Sequence, residues 1–237
     1  MTYCLGIKVK QGLLALADTR MTSGSETTTG KKYYLYTKDK QALFLMTSGL
    51  RSVRDKALVY FREVVEGDKN DFTKIYQVAN AFGEQIKKVA KEDKKSLAES
   101  GLQFNLHAIV GGQLSGDTEH RLFLIYPEGN WIEVGEGSPF IIIGNSGYGK
   151  PILRRTLTKD ATLQFALKTG FLSFDSTRVS ANDVDFPIDV LKYEHNSFEI
   201  KHHRYELTDM HAVSEFWGEQ LTNAIKQVPE DWIKESL

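Results

Sequence analysis

Thr2 is the residue in this 237-residue chain with the most chemistry to offer. It follows Met1, and removal of Met1 would leave a threonine carrying both a hydroxyl and a free α-amine. That residue would hold nucleophile and base together, the threonine–amine arrangement of covalent catalysis. Methionine followed by a small residue suits a methionine aminopeptidase. The amine has an unperturbed pKa of about 7.7–8.0, so it is a ready proton acceptor near neutral pH. A nearby cation lowers that value further. Such a cation, if buried, needs a carboxylate partner, and the oxyanion that forms needs N–H donors aimed at it. The next fifty residues offer candidates for each part. Asp18 ends the second apolar run, Lys31 and Lys32 precede another, and Gly49 follows a fourth at a strand-to-helix junction. An amide near a helix N-terminus is well placed to face negative charge.

These residues need elements to hold them. Period-2 and short apolar runs predict strands over 2–9 and 13–17, then a polar loop over 22–30, then strands over 33–36 and 42–47. Beyond Gly49 the period becomes helical. Helices are expected over 52–66 and from a cap at Asp71 to about Lys91, followed by a charged, solvated connection over 91–100. Strands return over 104–110, 122–126, 130–134 and 139–143, and helices over 147–157 and 162–174. A hairpin of 185–193 with 198–205 turns at His195-Asn196, and a closing helix over 208–228 is capped by Thr208 or Asp209. Strands in clusters and helices in pairs predict an α+β chain, with antiparallel sheets carrying helices on their outer faces. No repeat or long linker appears, so one domain is expected.

Composition excludes several classes. Lys plus Arg is 30 and Asp plus Glu is 31, so no basic field points to nucleic acid or a membrane surface. A near-zero net charge gives little mutual repulsion and suits self-association. The single cysteine, Cys4, permits no intramolecular disulfide and sits in an apolar run. The chain shows no signal-like start and no apolar run of about 18 residues, so a soluble cytoplasmic protein is expected. Histidine spacing offers no metal site; the adjacent His202 and His203 point to opposite strand faces. No cofactor is expected. The run from Gly144 to Pro151 nearly spells a phosphate loop, but Pro151 stands where a Mg²⁺-binding hydroxyl is required. Nucleotide binding through 144–151 is therefore a rival reading.

Four stretches, Thr2 to Lys8, Leu16 to Arg20, Lys31-Lys32-Tyr33 and Met46-Thr47-Ser48-Gly49, resemble the proteasome β-subunit family. More narrowly they resemble its bacterial Anbu (ancestral β-subunit) branch, to which 143–153, 173–177 and 187–191 are also similar. The resemblance implies a four-layer αββα sandwich of two antiparallel sheets, the N-terminal-nucleophile hydrolase fold. It implies a threonine peptidase or amidase with Thr2 as nucleophile, Asp18 and Lys32 as its ion pair, and the Gly49 amide serving the oxyanion. Lys32 is preferred to Lys31 because the match places it directly before the strand over 33–36, and only one of two adjacent side chains can face Thr2. From the second half it implies Ser146, with Asn145 as the one-residue alternative, and an acid and serine group within 175–183: Asp175, Ser180 and Asp183. There the chain departs from the family pattern, with acids where Ser or Gly is frequent. A substrate pocket would be walled by Met21, Thr47 and Arg51, of which Met21 suggests apolar and Arg51 acidic substrates. Peptides or unfolded polypeptides would be cleaved inside a homo-oligomeric ring or spiral. An ATPase partner is left open, and the alternative is an assembly subunit of the same fold with little turnover.

Overall fold

The central strands of this chain are apolar on both faces, and that property sets the layering. In the computed structural model, which describes residues 2–23, 26–67, 71–135 and 137–233, the side chains of β1 (Tyr3–Val9) divide between two cores. Tyr3, Leu5 and Ile7 face one, and Cys4 faces the other. β2 (Gly12–Asp18) sends Leu14 and Leu16 one way, and Leu13, Ala15 and Ala17 the other. β6 (Gln41–Gly49) does the same, with Leu43 and Leu45 opposed to Ala42, Phe44 and Met46. A strand covered on both sides reads as a continuous apolar run.

β1 and β2 are central in a sheet ordered β10-β1-β2-β11-β12, with β10 at Phe140–Gly144, β11 at Ile188–Glu194 and β12 at Ile200–Tyr205. The second sheet runs β5-β6-β7-β8-β9, with β5 at Tyr33–Lys38, β7 at Leu106–Leu114, β8 at Arg121–Ile125 and β9 at Trp131–Glu133. All the pairings are antiparallel. α1 (Arg51–Val65) and α2 (Ile75–Glu99) cover the second sheet through Val53, Ala57, Phe61, Ile75, Val78, Phe82 and Ile86. α3 (Lys150–Thr156) and α4 (Leu163–Arg178) cover the first through Leu153, Ala166, Phe171 and Phe174. The result is the four-layer αββα sandwich.

Four local expectations need correction. The loop expected over 22–30 is instead a two-stranded ribbon, β3 (Arg20–Ser23) with β4 (Glu26–Thr29). Its threonines favour extended backbone even where the face is polar; positions 24 and 25 at its tip lie outside the described residues, as does Met1. α2 continues to Glu99, through the segment expected to be a connection. Strong helix formers fill that segment, Leu97 packs on the core, and Lys56 of α1 pairs with Glu92 and Asp93. Asp71 does not cap α2. The helix starts at Ile75, whose amide donates to Asp117 at 2.9 Å, while Gln77 accepts from the Lys74 amide. The last helix, α5 (Leu207–Lys226), starts after Glu206, whose amide is taken by Asp209, and it has no buried residue.

Candidate active site

The start of β1 and the end of β2 are adjacent strand ends, with Cys4 opposite Ala17. This register sets Thr2 and Tyr3 beside Asp18. The Thr2 hydroxyl donates to Asp18 Oδ1 at 2.7 Å, and the Tyr3 N–H donates to the same oxygen at 2.8 Å. Lys32, just before β5 in the other sheet, reaches across and donates from Nζ to that oxygen at 2.7 Å. Lys31 is exposed and its ammonium lies over the Tyr33 ring. Three donors thus converge on one carboxylate oxygen. The acid is fully buried, and the lysine side chain is only 5% exposed. Burial pushes the Asp18 carboxyl above the ordinary carboxylate range, and Lys32 and the hydrogen bonds pull it back. The other oxygen, Oδ2, is buried and has no partner among the described residues.

Backbone closes around Thr2 from β10. The Asn145 amide donates to the Thr2 carbonyl at 2.7 Å. Gly144 has φ of +87°, and a Cβ there would lie 2.0 Å from the Thr2 carbonyl oxygen. Only glycine fits at this approach. The glycine-rich run read as a possible phosphate loop is committed here: Gly144 and Asn145 hold Thr2, and Gly149 packs against Ser173 of α4. Ser173 in turn hydrogen-bonds the Tyr3 hydroxyl at 2.7 Å.

On the far side of Thr2 lies a cleft of about 760 Å³. Met21, Thr47, Gly49 and Arg51 all line it, together with Thr2 and Lys32. The Thr47 N–H donates to the Lys32 carbonyl at 3.2 Å. Two residues on, the Gly49 N–H leaves β6 along the same edge, where the pairing with β5 has ended. Gly49 itself lines the cleft, two residues before the start of α1. A side chain at Gly49 is barred by the Asn105 carbonyl, 2.1 Å from a Cβ built there, at a φ of +150°.

The second-half candidates are placed differently. Ser146 is half-buried beside Asn145, and no hydrogen bond ties its hydroxyl to Thr2 among the described residues. Asp175 accepts from Arg178 at 2.8 Å and from Ser214 of α5 at 2.7 Å, so it fastens α4 to α5. Ser180 is exposed and donates to the Ser176 carbonyl. Asp183 sits half-buried in the turn after α4. Arg20 pairs with Asp185 at 3.2 Å. The sequence reading offered Asn145 only as a side-chain alternative to Ser146 and not for its amide, and it missed the approach of Gly144 to Thr2 and Arg54, Asn105 and His107 in the cleft. Only Arg54 left a signal, one helical turn beyond Arg51. No group of three or more potential metal ligands occurs among the described residues.

No protein-family model matches the chain, and no curated protein does. Solved structures do. Over 96% of this chain and 99% of the other, a mutant of Anbu from Hyphomicrobium sp. strain MC1 superposes with a TM-score of 0.88 at 31% identity. The chain belongs to the Anbu, or ancestral β-subunit, family. Anbu from Yersinia bercovieri is 28% identical with a TM-score of 0.88, over 96% of this chain and 98% of that one. The Anbu complex of Pseudomonas aeruginosa, described as a helical assembly, is 28% identical with a TM-score of 0.89, over 96% and 97% of the two chains. The αββα layering is therefore the proteasome-like N-terminal-nucleophile hydrolase fold of Anbu. None of the described helices is long and apolar enough to cross a membrane.

Proposed function

We propose that this Anbu chain is an N-terminal threonine hydrolase, a peptidase or amidase whose nucleophile is Thr2 once Met1 is removed. The observation that carries this reading is the convergence of the Thr2 hydroxyl, the Tyr3 amide and Lys32 Nζ on Asp18 Oδ1, at 2.7–2.8 Å, on the wall of a cleft. The Thr2 oxygen attacks the substrate carbonyl carbon and its proton passes to the Thr2 amine. Lys32 keeps that amine neutral by its charge, and Asp18 keeps Lys32 in place. The oxyanion is received by the Gly49 N–H. Collapse breaks the C–N bond, the proton leaves with the amine product, and an ester on Thr2 remains. Water, deprotonated by the same amine, hydrolyses the ester. No cofactor enters these steps.

The helical assembly of the Pseudomonas relative supports self-assembly of this chain as well. An enclosed interior would limit substrates to peptides and unfolded polypeptides. A second reading, an assembly subunit with little turnover, is favoured by one observation: Asp175 is committed to Arg178 and Ser214 rather than to Thr2. Turnover of a peptide library by wild type and by Thr2→Ala, with assembly state measured in parallel, separates the two. Loss of turnover with assembly intact supports the hydrolase. Equal turnover by both proteins overturns it.

A further inference from the structure

The cleft beside Thr2 is lined by Arg20, Lys32, Arg51 and Arg54 and, among the described residues, by no aspartate or glutamate. Two of these cations have an acid to themselves: Lys32 has Asp18 and Arg20 has Asp185. The other two share one. Asp55 Oδ1 receives Arg54 Nη2 at 2.7 Å and Nε at 2.8 Å, while its Oδ2 stands 3.4 Å from Arg51 Nε. Two guanidiniums against one half-exposed carboxylate leave one positive charge in excess at this wall. The Arg54 side chain is only 14% exposed, so its charge is less screened by solvent than that of a surface arginine.

Two independent features add to this charge. α1 begins at the same wall, with no acidic residue in its first turn and no side-chain cap from Leu50. Leu50 and Arg51 line the cleft, so the positive end of the α1 dipole lies at this wall with no acid in the first turn to answer it. Thr47 lines the cleft, and its hydroxyl is buried with no partner among the described residues. A buried hydroxyl without a partner is costly and is satisfied by a ligand acceptor. Met21 does not oppose this arrangement, because its sulfur packs 3.7 Å from Arg54 Nη1 and so buttresses the guanidinium. The disagreement between Met21 and Arg51 in the sequence thus resolves toward charge.

We propose that Arg51, Arg54, the N-terminus of α1 and the Thr47 hydroxyl form a carboxylate subsite, so that the preferred substrates are peptides with glutamate or aspartate at the residue supplying the scissile carbonyl. The inference rests on Thr2 being the nucleophile. Arg54 would exchange its exposed partner Asp55 for the substrate carboxylate, a bidentate pairing that guanidinium geometry favours.

The test uses the full chain freed of Met1 and an uncharged β-lactone that acylates Thr2. Peptides differing only in Glu, Gln, Leu or Lys at the one position compete with the lactone, and protection of Thr2 is read by intact mass. This readout does not depend on fast turnover. The Glu peptide is expected to protect at a concentration at least about tenfold lower than its Gln isostere. The advantage should shrink as salt rises from about 50 to about 500 mM. Arg51→Gln and Arg54→Met should each reduce the Glu-over-Gln ratio. Asp55→Asn, which removes the competitor, should raise it. Labelled Thr2 with equal protection by Glu and Gln, or better protection by Leu, overturns the subsite alone. Failure of the lactone to label Thr2 overturns the threonine reading, and the subsite with it.

Discussion

Lys32→Met isolates the electrostatic centre of the site, because it removes the charge and keeps most of the side-chain volume. Lys32 Nζ and Asp18 Oδ1 stand 2.7 Å apart, with the lysine 5% exposed and the aspartate not at all. At an effective dielectric constant near 20 that separation corresponds to about 6 kcal/mol of attraction, offset by the desolvation of both groups. Removing one partner abandons a buried carboxylate, which typically costs about 3–5 kcal/mol. Asp18 can escape by taking up a proton, since burial already pushes its carboxyl upward. The expected loss at pH 7 is therefore about 3 kcal/mol. Asp18→Asn together with Lys32→Met should recover more than half of it, because no charge is left in the interior. Urea unfolding at fixed protomer concentration measures both. The same lysine should set the amine of Thr2. Each unit by which the amine pKa rises reduces its neutral fraction tenfold below that pKa. Labelling of Thr2 by a β-lactone should fall at least about tenfold at pH 7 in Lys32→Met and recover as pH approaches about 9. A loss below about 1 kcal/mol, additive double-mutant energies and an unchanged labelling profile would refute the reasoning.

Gly144→Ala should abolish lactone labelling, because its Cβ displaces the Thr2 carbonyl. Gly101→Ala, also at positive φ but with no atom of the described residues within 4 Å of its Cβ, should cost only about 1 kcal/mol by thermal unfolding and leave labelling intact. His120 predicts a pH dependence of stability at the opposite end of the strands. Its Nε2 donates to the Val9 carbonyl at 2.8 Å, so the neutral ring presents Nδ1 as acceptor to His195 Nδ1 at 3.1 Å. Burial, Lys8 and His195 hold its pKa below the usual histidine value, against the Val9 hydrogen bond and Glu119. The unfolded chain then binds more protons once pH drops below about 6.5, so the melting temperature should fall from pH 7.5 to 5.5 and fall less in His120→Gln. Ser214→Ala should loosen α5 from α4, seen as faster amide exchange along 207–226, without changing the labelling of Thr2.

Much of the sandwich was legible because a strand covered on both faces leaves a dense apolar run, and because the stripes of α1 and α2 keep a clean helical period. Alternation allowed only one of Lys31 and Lys32 to face Thr2, and the family resemblance, which places Lys32 directly before the strand, chose between them. The β3–β4 ribbon was hidden because its threonines and serine carry no apolar period. The start of α2 was hidden because its cap, Asp117, comes from the β7–β8 turn 42 residues away. At the site, Asp18 was legible as a lone acid closing an apolar strand. Gly144 and Asn145 were not, because they act through backbone atoms brought to Thr2 by the pairing of β10 with β1. The cleft's charge excess was hidden too. It depends on which acid each arginine reaches, and only the fold settles that.

The account stands on Thr2 as a nucleophile with a free amine. Its most direct measurement is peptide mapping of the purified, peptide-cleaving chain after exposure to a β-lactone or an epoxyketone. The account predicts a chain beginning at Thr2 with one adduct on that residue, and no adduct in Thr2→Ala. Peptide cleavage by protein that still carries Met1 and takes up no adduct at Thr2 would contradict it.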